Sequence, residues 1–314
     1  MRSLGLSNIR VAPLALGGNV FGWTTDKKAS FEILDAFVDF GFNLIDTANI
    51  YSSWVPGNQG GESESIIGEW IKKSGKRSKI YIATKVGMEM VGFKGLAKDQ
   101  IMRSVEASLL RLQTDTIDLY QAHEDDSETP LEETLRAFDQ LVKQGKVRFI
   151  GASNYEAKRL DQSLLISQRL GIASYISLQP YYNLYDRERF EKNLESLCLE
   201  KQLGVLPYFP LAQGFLTGKY RSNEDLNKSP RGESIERYLD DRGMKIIDAL
   251  EIISRAHQVV PAVVALAWLL QRKCVCAAIA SVTNVKQLAE LVKVNQICLS
   301  SEEIVKLDTA SSYA

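Results

Sequence analysis

Along the chain, short continuous apolar runs alternate with longer stretches in which apolar residues recur every three or four positions. The runs predict buried strands, and the spaced stretches predict helices with one apolar face. Residues 28–40 carry Phe31, Ile33, Leu34, Phe37 and Val38 at helical spacing and close on Gly41. The next stretch, 41–51, is an apolar run that ends in a carboxylate, Asp46, and reaches a phenol at Tyr51. Phe42, Leu44 and Asp46 share one face at strand periodicity, so an inward Phe42 and Leu44 carry Asp46 inward as well. A carboxylate buried without a partner costs several kcal/mol. A cation from a neighbouring strand end is therefore required, and Lys85 is the candidate.

The strand–helix unit recurs. Helices are predicted over 63–73, 98–112, 130–143, 155–170 and 187–201, and strands over 80–85, 117–123, 147–153, 175–180 and 205–209. Ahead of them, 4–16 reads as a small hairpin followed by the first core strand, which runs into Gly17 and Gly18. The segment 219–242 is polar and charged and reads as a surface loop. Helices follow over 244–257 and 261–271, the second opening on Pro261, where a first helical turn tolerates proline. An eighth strand is predicted over 275–280, with its helix over 285–294 and a closing helix over 301–310 that carries the capping-box pair Ser300 and Glu303. Strand ends about 30 to 40 residues apart suit parallel βα units. Eight of them close most naturally as a (β/α)₈ TIM barrel, with an N-terminal β-hairpin and an extra C-terminal helix, in a single domain over 1–314. An open doubly wound sheet is the alternative; against it, no strand is followed by GxGxxG opening a helix.

Composition narrows the function. A formal net charge of -1 with 25% charged and 45% hydrophobic residues supplies a core and carries no electrostatic footprint of a nucleic-acid partner. Residues 1–16 lack the pattern of a signal peptide, and no apolar stretch is long enough to span a bilayer, so a cytoplasmic protein without a membrane partner is expected. Cys198, Cys274, Cys276 and Cys298 form no C-x-x-C pair and sit in apolar segments, which reads as reduced packing residues. His123 and His257 are the only histidines, so no metal site is expected. His257 reads as part of a solvated helix face. Oligomeric state is left open.

In a barrel, the C-terminal strand ends converge on the functional face. There Asp46, Lys85 and His123 finish three consecutive strands and Tyr51 overhangs them. Asp46 and Lys85 alone could be a structural ion pair. With a phenol and an imidazole added, the group suits addition to a carbonyl: Asp46 keeps Lys85 charged, Lys85 lowers the Tyr51 pKa, Tyr51 acts as general acid, and His123 donates to the substrate oxygen or relays a proton. None of the four can donate hydride, which implies a nicotinamide cofactor. A barrel aldolase using Lys85 as a Schiff base is disfavoured, because Asp46 would keep that lysine protonated.

Several separated motifs now align in order. The stretch 41–51 resembles the first signature of the aldo-keto reductases, and Leu109-Leu110-Arg111-Leu112, Asp115, Ile117-Asp118-Leu119-Tyr120 and His123 resemble the second. Ala83-Thr84-Lys85, Gly151-Ala152-Ser153-Asn154, Leu178-Gln179 and Leu216-Thr217-Gly218-Lys219-Tyr220 follow in the expected order. The resemblance is to the bacterial type with a short C-terminal tail. It implies NADP(H)-dependent carbonyl reduction with Asp46, Tyr51, Lys85 and His123 as catalytic tetrad. It also implies that Ser153, Asn154 and Gln179 hold the nicotinamide carboxamide and that Tyr208 stacks on the ring. Leu211, Gln213, Gly214 and Lys219 would lie along the pyrophosphate, and Gln287 and Glu290 near the adenosine.

The match changes at the eighth strand, which reads Ile279-Ala280-Ser281-Val282-Thr283-Asn284 and lacks the family's basic residue for a ribose 2′-phosphate; Leu291 stands where asparagine is usual. Ser281, Thr283 and Asn284 offer hydrogen bonds instead, with Lys286 or a basic residue of the polar loop for charge. NADP(H) is the expected cofactor and NAD(H) the alternative. Trp23 and Trp54, in loops on the active face, are candidate substrate walls, with loop packing as the competing role. The loops 21–26, 52–62 and 88–93 would set the substrate, in a site left open by the short tail. A cofactor-binding regulatory subunit on the same scaffold, as in some members of the resembled family that accompany ion channels, is the rival function.

Overall fold

The computed structural model describes residues 1–90, 92–228 and 232–313. Val91 of the loop 88–93, Ser229, Pro230 and Arg231 of the polar loop, and the chain end at Ala314 lie outside the described residues. The hairpin strands β1 (Arg2–Ser3) and β2 (Arg10–Val11) pair antiparallel. Eight parallel strands follow, β3 (Leu14–Gly17), β4 (Leu44–Asp46), β5 (Tyr81–Val86), β6 (Ile117–Ala122), β7 (Val147–Ser153), β8 (Tyr175–Gln179), β9 (Gly204–Val205) and β10 (Ala278–Ala280). They run side by side from β3 to β9, with β10 next to β3. The seam between β9 and β10 closes through Cys276 N donating to Val205 O and Ile279 N to Pro207 O, both at 2.9 Å. The result is the expected (β/α)₈ barrel with its hairpin.

Helices α1 (Lys27–Asp39), α2 (Glu62–Ser74), α3 (Lys98–Leu112), α4 (Leu131–Lys143), α5 (Ala157–Leu170), α6 (Glu188–Asn193), α7 (Glu195–Glu200), α8 (Asp241–His257), α9 (Pro261–Leu270), α10 (Val285–Leu291) and α11 (Ser301–Ala310) surround it. Side chains that the sequence places just ahead of the helices satisfy their free N–H groups. Asp26 caps α1, Asp240 caps α8, Asn284 caps α10, and Ser300 with Glu303 closes the expected capping box on α11. The α9 helix is apolar all round because every residue from Ala262 to Leu270 is buried. Among the described residues no single helix is long and apolar enough to cross a membrane.

Strand periodicity sorts the core into two layers. Leu44, Ala83 and Leu119 fill the barrel interior together with Leu4, Ile9 and Val11 of the hairpin, which packs against the barrel from the strands' N-terminal side. Ile45, Ile82 and Tyr120, each one residue away along its strand, face the helices. Asp46, Lys85 and Gln121 continue the inward face toward the C-terminal ends, where the interior turns polar.

Several expectations require correction. Phe42 precedes β4 rather than belonging to it, and packs outward against Phe37 with ring centroids 5.6 Å apart, so only Leu44 and Asp46 share the inward face. The helix expected over 187–201 breaks at Leu194 into α6 and α7. The strands expected over 205–209 and 275–280 shorten to β9 and β10, with only isolated bridges beyond them. The polar loop is not all surface, since Ile235 and Tyr238 bury within it. Cys198, Cys274 and Cys276 are buried, whereas Cys298 is exposed. His257 leaves the solvated face to bond Glu303 at 2.9 Å.

Helix α2 sits close against the end of α3: a Cβ built on Gly68 would lie 2.0 Å from Arg111 O. Gly68→Ala should cost about 1–3 kcal/mol through forced separation of the helices. Urea unfolding measures this, and an unchanged midpoint would refute the close packing.

Candidate active site

The register of the barrel brings the chemistry together. Lys85 is the direct register partner of Gln121 on β6, while β4 next door ends in Asp46. The Lys85 ammonium is fully buried, and its Nζ lies 2.6 Å from Asp46 Oδ2, 2.9 Å from the Thr47 carbonyl and 2.8 Å from the Tyr51 hydroxyl. Three acceptors therefore match three N–H donors. The Tyr51 hydroxyl also lies 3.4 Å from Asp46 Oδ2. His123 follows β6 directly, and its ring meets that of Tyr51 edge-on with centroids 5.9 Å apart. All four expected members of the tetrad share one site.

Helix α2 fixes this arrangement from outside the barrel. Ser63 Oγ donates to Gly18 O and exchanges a hydrogen bond with Thr47 Oγ1, both at 2.8 Å, while Thr47 O receives Lys85. Glu64, also fully buried, accepts from Thr84 at 2.6 Å and from Arg111 at 2.8 Å.

The charge states depart from the sequence expectation in one respect. Burial, followed by the Asp46 carboxylate, raises the Tyr51 phenol well above its ordinary value, so the net shift is upward and not the expected lowering. Burial lowers Lys85, opposed by Asp46. Burial and then the Lys85 cation hold His123 well below the usual imidazole range. The resting site thus presents a protonated phenol and a neutral imidazole at neutral pH. Among the described residues His123 Nδ1 is buried without a hydrogen-bond partner.

The twelve residues expected around a cofactor fall into two groups. Ser153, Asn154, Gln179 and Tyr208 form one network beside the tetrad. Tyr208 OH donates to Asn154 Oδ1 at 2.7 Å, Asn154 Nδ2 to His123 O at 3.0 Å, and Ser153 Oγ to Gln179 O at 2.9 Å. Gln179 turns its amide inward, donating to Asp46 Oδ1 at 2.9 Å. The other eight, Leu211, Gln213, Gly214, Lys219, Ser281, Thr283, Gln287 and Glu290, line a single cleft of about 610 Å³. Lys228 of the polar loop joins Lys219 there; Lys286 does not line it. Ser281 Oγ donates to Asn19 Oδ1, and Thr283 N to Gln287 Oε1 at 2.9 Å.

Backbone strain collects at the same end. Ser52, Asn154, Phe209, Ala212 and Gln213 have φ of 71, 56, 49, 46 and 58°, a left-handed conformation that non-glycine residues rarely hold without compensation. Trp54 is 47% exposed; its ring meets Tyr51 at 6.2 Å and Trp23 edge-on at 5.7 Å, so Trp54 borders the tetrad and Trp23 packs against Trp54.

Sequence reasoning missed Gln121 and Asn19, and anticipated Lys228 only as an unspecified basic residue of the polar loop. Gln121 was readable, since strand periodicity puts it on the face of Leu119 and His123. Asn19 and Lys228 lie in short 3-10 turns between the barrel elements, too short for periodicity to report direction.

Comparison with known proteins shows the family. The model of the Aldo/keto reductase family matches residues 13–312. An uncharacterized oxidoreductase of Bacillus subtilis (strain 168) is 35% identical, covering 95% of this chain and 92% of its own. An aldo-keto reductase of Strobilurus tenacellus is 32% identical over 96% of this chain and 86% of its own. A putative voltage-gated potassium channel subunit beta of Schizosaccharomyces pombe is 32% identical over 99% and 93%.

The lowered His123 pKa sets a sign for pH dependence. Below the unfolded value the denatured chain binds a proton at this imidazole and the folded chain does not. Stability should therefore fall with acidification by up to about 1.4 kcal/mol per pH unit below about 6.5. Urea midpoints between pH 7 and 5 measure it. His123→Asn should flatten that part of the curve, and parallel curves for the two proteins would contradict a neutral buried His123.

Proposed function

The chain belongs to the aldo/keto reductase family, and from that premise we propose that it reduces a small aldehyde or ketone to the alcohol, with NADPH as reductant and Tyr51 as general acid. The observation that carries this reading is the Lys85 ammonium locked between Asp46 and the Tyr51 hydroxyl. A carbonyl oxygen held against Tyr51 and His123 gains negative charge as its carbon is reduced. Tyr51 gives up its proton to that oxygen, because an alkoxide is a far stronger base than a phenolate even when the phenol is raised. Lys85 neutralises the phenolate left behind, and Asp46 keeps Lys85 cationic against its burial. His123, kept neutral, can donate one ring N–H to the substrate oxygen without placing a second cation beside Lys85. Trp23 and Trp54 offer apolar walls to the rest of the substrate.

A bound nicotinamide dinucleotide supplies the hydride that no side chain here can. The residues suit such a group: the cleft is lined from 209–219 and 279–291 and carries two lysines, and the tetrad holds a buried polar orphan at His123 Nδ1. Ser153, Asn154, Gln179 and Tyr208 would take the nicotinamide end. Lys219 and Lys228 would offer charge to a 2′-phosphate in place of the basic residue missing from 281–284. NAD(H) is favoured instead by the engagement of Ser281 with Asn19 and of Thr283 with Gln287, which commits those hydroxyls within the protein.

The likeness to a potassium channel subunit supports a second reading, a cofactor-binding regulatory subunit with little turnover. Turnover decides between them. Tyr51→Phe should leave cofactor affinity within about twofold while reducing carbonyl turnover by about 10²–10⁴-fold; nearly full activity would remove Tyr51 as the acid. Fluorescence titration with each dinucleotide tests the charge argument. The double change Lys219→Ala, Lys228→Ala should weaken NADPH by about tenfold more than NADH, with the difference shrinking at high salt. Equal losses for both dinucleotides would reject the 2′-phosphate role of the lysines.

A further inference from the structure

Beneath the tetrad lie two amides. Gln121 is fully buried and Gln179 nearly so. Gln179 Nε2 donates to Asp46 Oδ1 at 2.9 Å and to Gln121 Oε1 at 3.3 Å, while Gln121 Nε2 reaches Asp46 Oδ1 at 3.4 Å. Among the described residues the two carboxylate oxygens are thus divided: Oδ2 serves Lys85 and Tyr51, and Oδ1 takes only amide donors. Room for this is built in. Gly151 is the register partner of Gln121 on β7, and a Cβ there would lie 2.4 Å from Ser177 Oγ and 3.2 Å from Gln121 Cγ.

We infer that Gln121 is a positioning residue for proton transfer, a buried amide that acts with Gln179 to keep the Asp46 carboxylate turned toward Lys85. A carboxylate held by one cation alone can rotate about its terminal torsion, which is broad and roughly two-fold. Donors on Oδ1 pin the plane, so Oδ2 stays on the ammonium. This matters because burial works against the Lys85 charge, and a carboxylate turned aside no longer opposes it. The groups facing this carboxylate are Lys85 from β5, Tyr51 from the loop after β4, Gln121 from β6 and Gln179 from β8; Glu64 of α2 adds a second anion near Lys85. The catalytic consequence rests on the reductase reading above, whereas the positioning itself does not.

The test is separable for that reason. Lysines labelled with ¹⁵N at Nζ, with Lys85 assigned through Lys85→Met, give its titration midpoint by NMR without any substrate. Gln121→Met, apolar and of similar length, should lower that midpoint by about one pH unit, and Gln121→Glu, of the same size, should raise it by a similar amount. In turnover, Gln121→Met should reduce kcat roughly tenfold at neutral pH with KM unchanged and move the alkaline limb of the profile downward. Dinucleotide affinity should stay the same in both variants. Midpoints unmoved in both variants, even with turnover reduced, would make Gln121 mere packing and overturn the proposal. Should Gln121→Met fail to fold, the isosteric Gln121→Glu decides: a raised midpoint supports the positioning role and an unmoved one ends it. Shifted midpoints in a protein that turns over no carbonyl would uphold the positioning and sink the reductase reading alone.

Discussion

A lysine ammonium with no access to water sits at the centre of this barrel, and most of the C-terminal face exists in the form that its burial requires. Moving such a group out of water costs several kcal/mol even after relaxation, and the cost is recovered only when every N–H finds an acceptor. Lys85 meets that condition with a carboxylate, a backbone carbonyl and a phenol oxygen. Each partner is itself held. Asp46 is gripped by two amides, Thr47 is tied to Ser63, and Tyr51 is bordered by His123 and Trp54.

The same constraint explains why the first turn of α2 is so polar for a buried surface. Glu62 accepts from the N–H groups of Gln59 and Gly60, Ser63 bridges Gly18 and Thr47, and Glu64 receives Thr84 and Arg111. Consecutive residues of one helix thereby set the ends of three adjacent strands. Buried polar groups joined this way favour a single arrangement, because any alternative leaves donors unpaired at a cost of about 1–3 kcal/mol each.

Charge and chemistry connect through the same geometry. Burial keeps the phenol protonated and the imidazole neutral, which leaves one cation, Lys85, beside the oxygen where negative charge would form. A site prepared in this way has its dipoles and its counter-charge in place before substrate arrives, which is the condition for electrostatic stabilisation of a developing oxyanion. Left-handed backbone occurs at Asn154, Phe209, Ala212 and Gln213 along the neighbouring strand ends, and Phe209 and Gln213 line the cleft.

The sequence by itself determined the alternation of strands and helices, the inward turn of Asp46 and Lys85, and the gathering of Asp46, Tyr51, Lys85 and His123 at one end of a barrel. These follow from periodicity and order, because a residue's place in an alternating strand sets its face and consecutive strands in a barrel are neighbours. Ordered motifs also disclosed the family. Tertiary structure alone decided the rest: that Phe42 turns outward to Phe37, that the helix over 187–201 breaks at Leu194, that Gln179 and Gln121 meet on Asp46, and that Lys228 reaches the cleft. It also reversed the expected effect on the Tyr51 phenol, since the sequence names the lysine beside it but not the depth of burial around both. Periodicity is a local property of the chain. Desolvation, loop direction and the meeting of side chains from β4, β6 and β8 depend on distances that exist only once the barrel has closed.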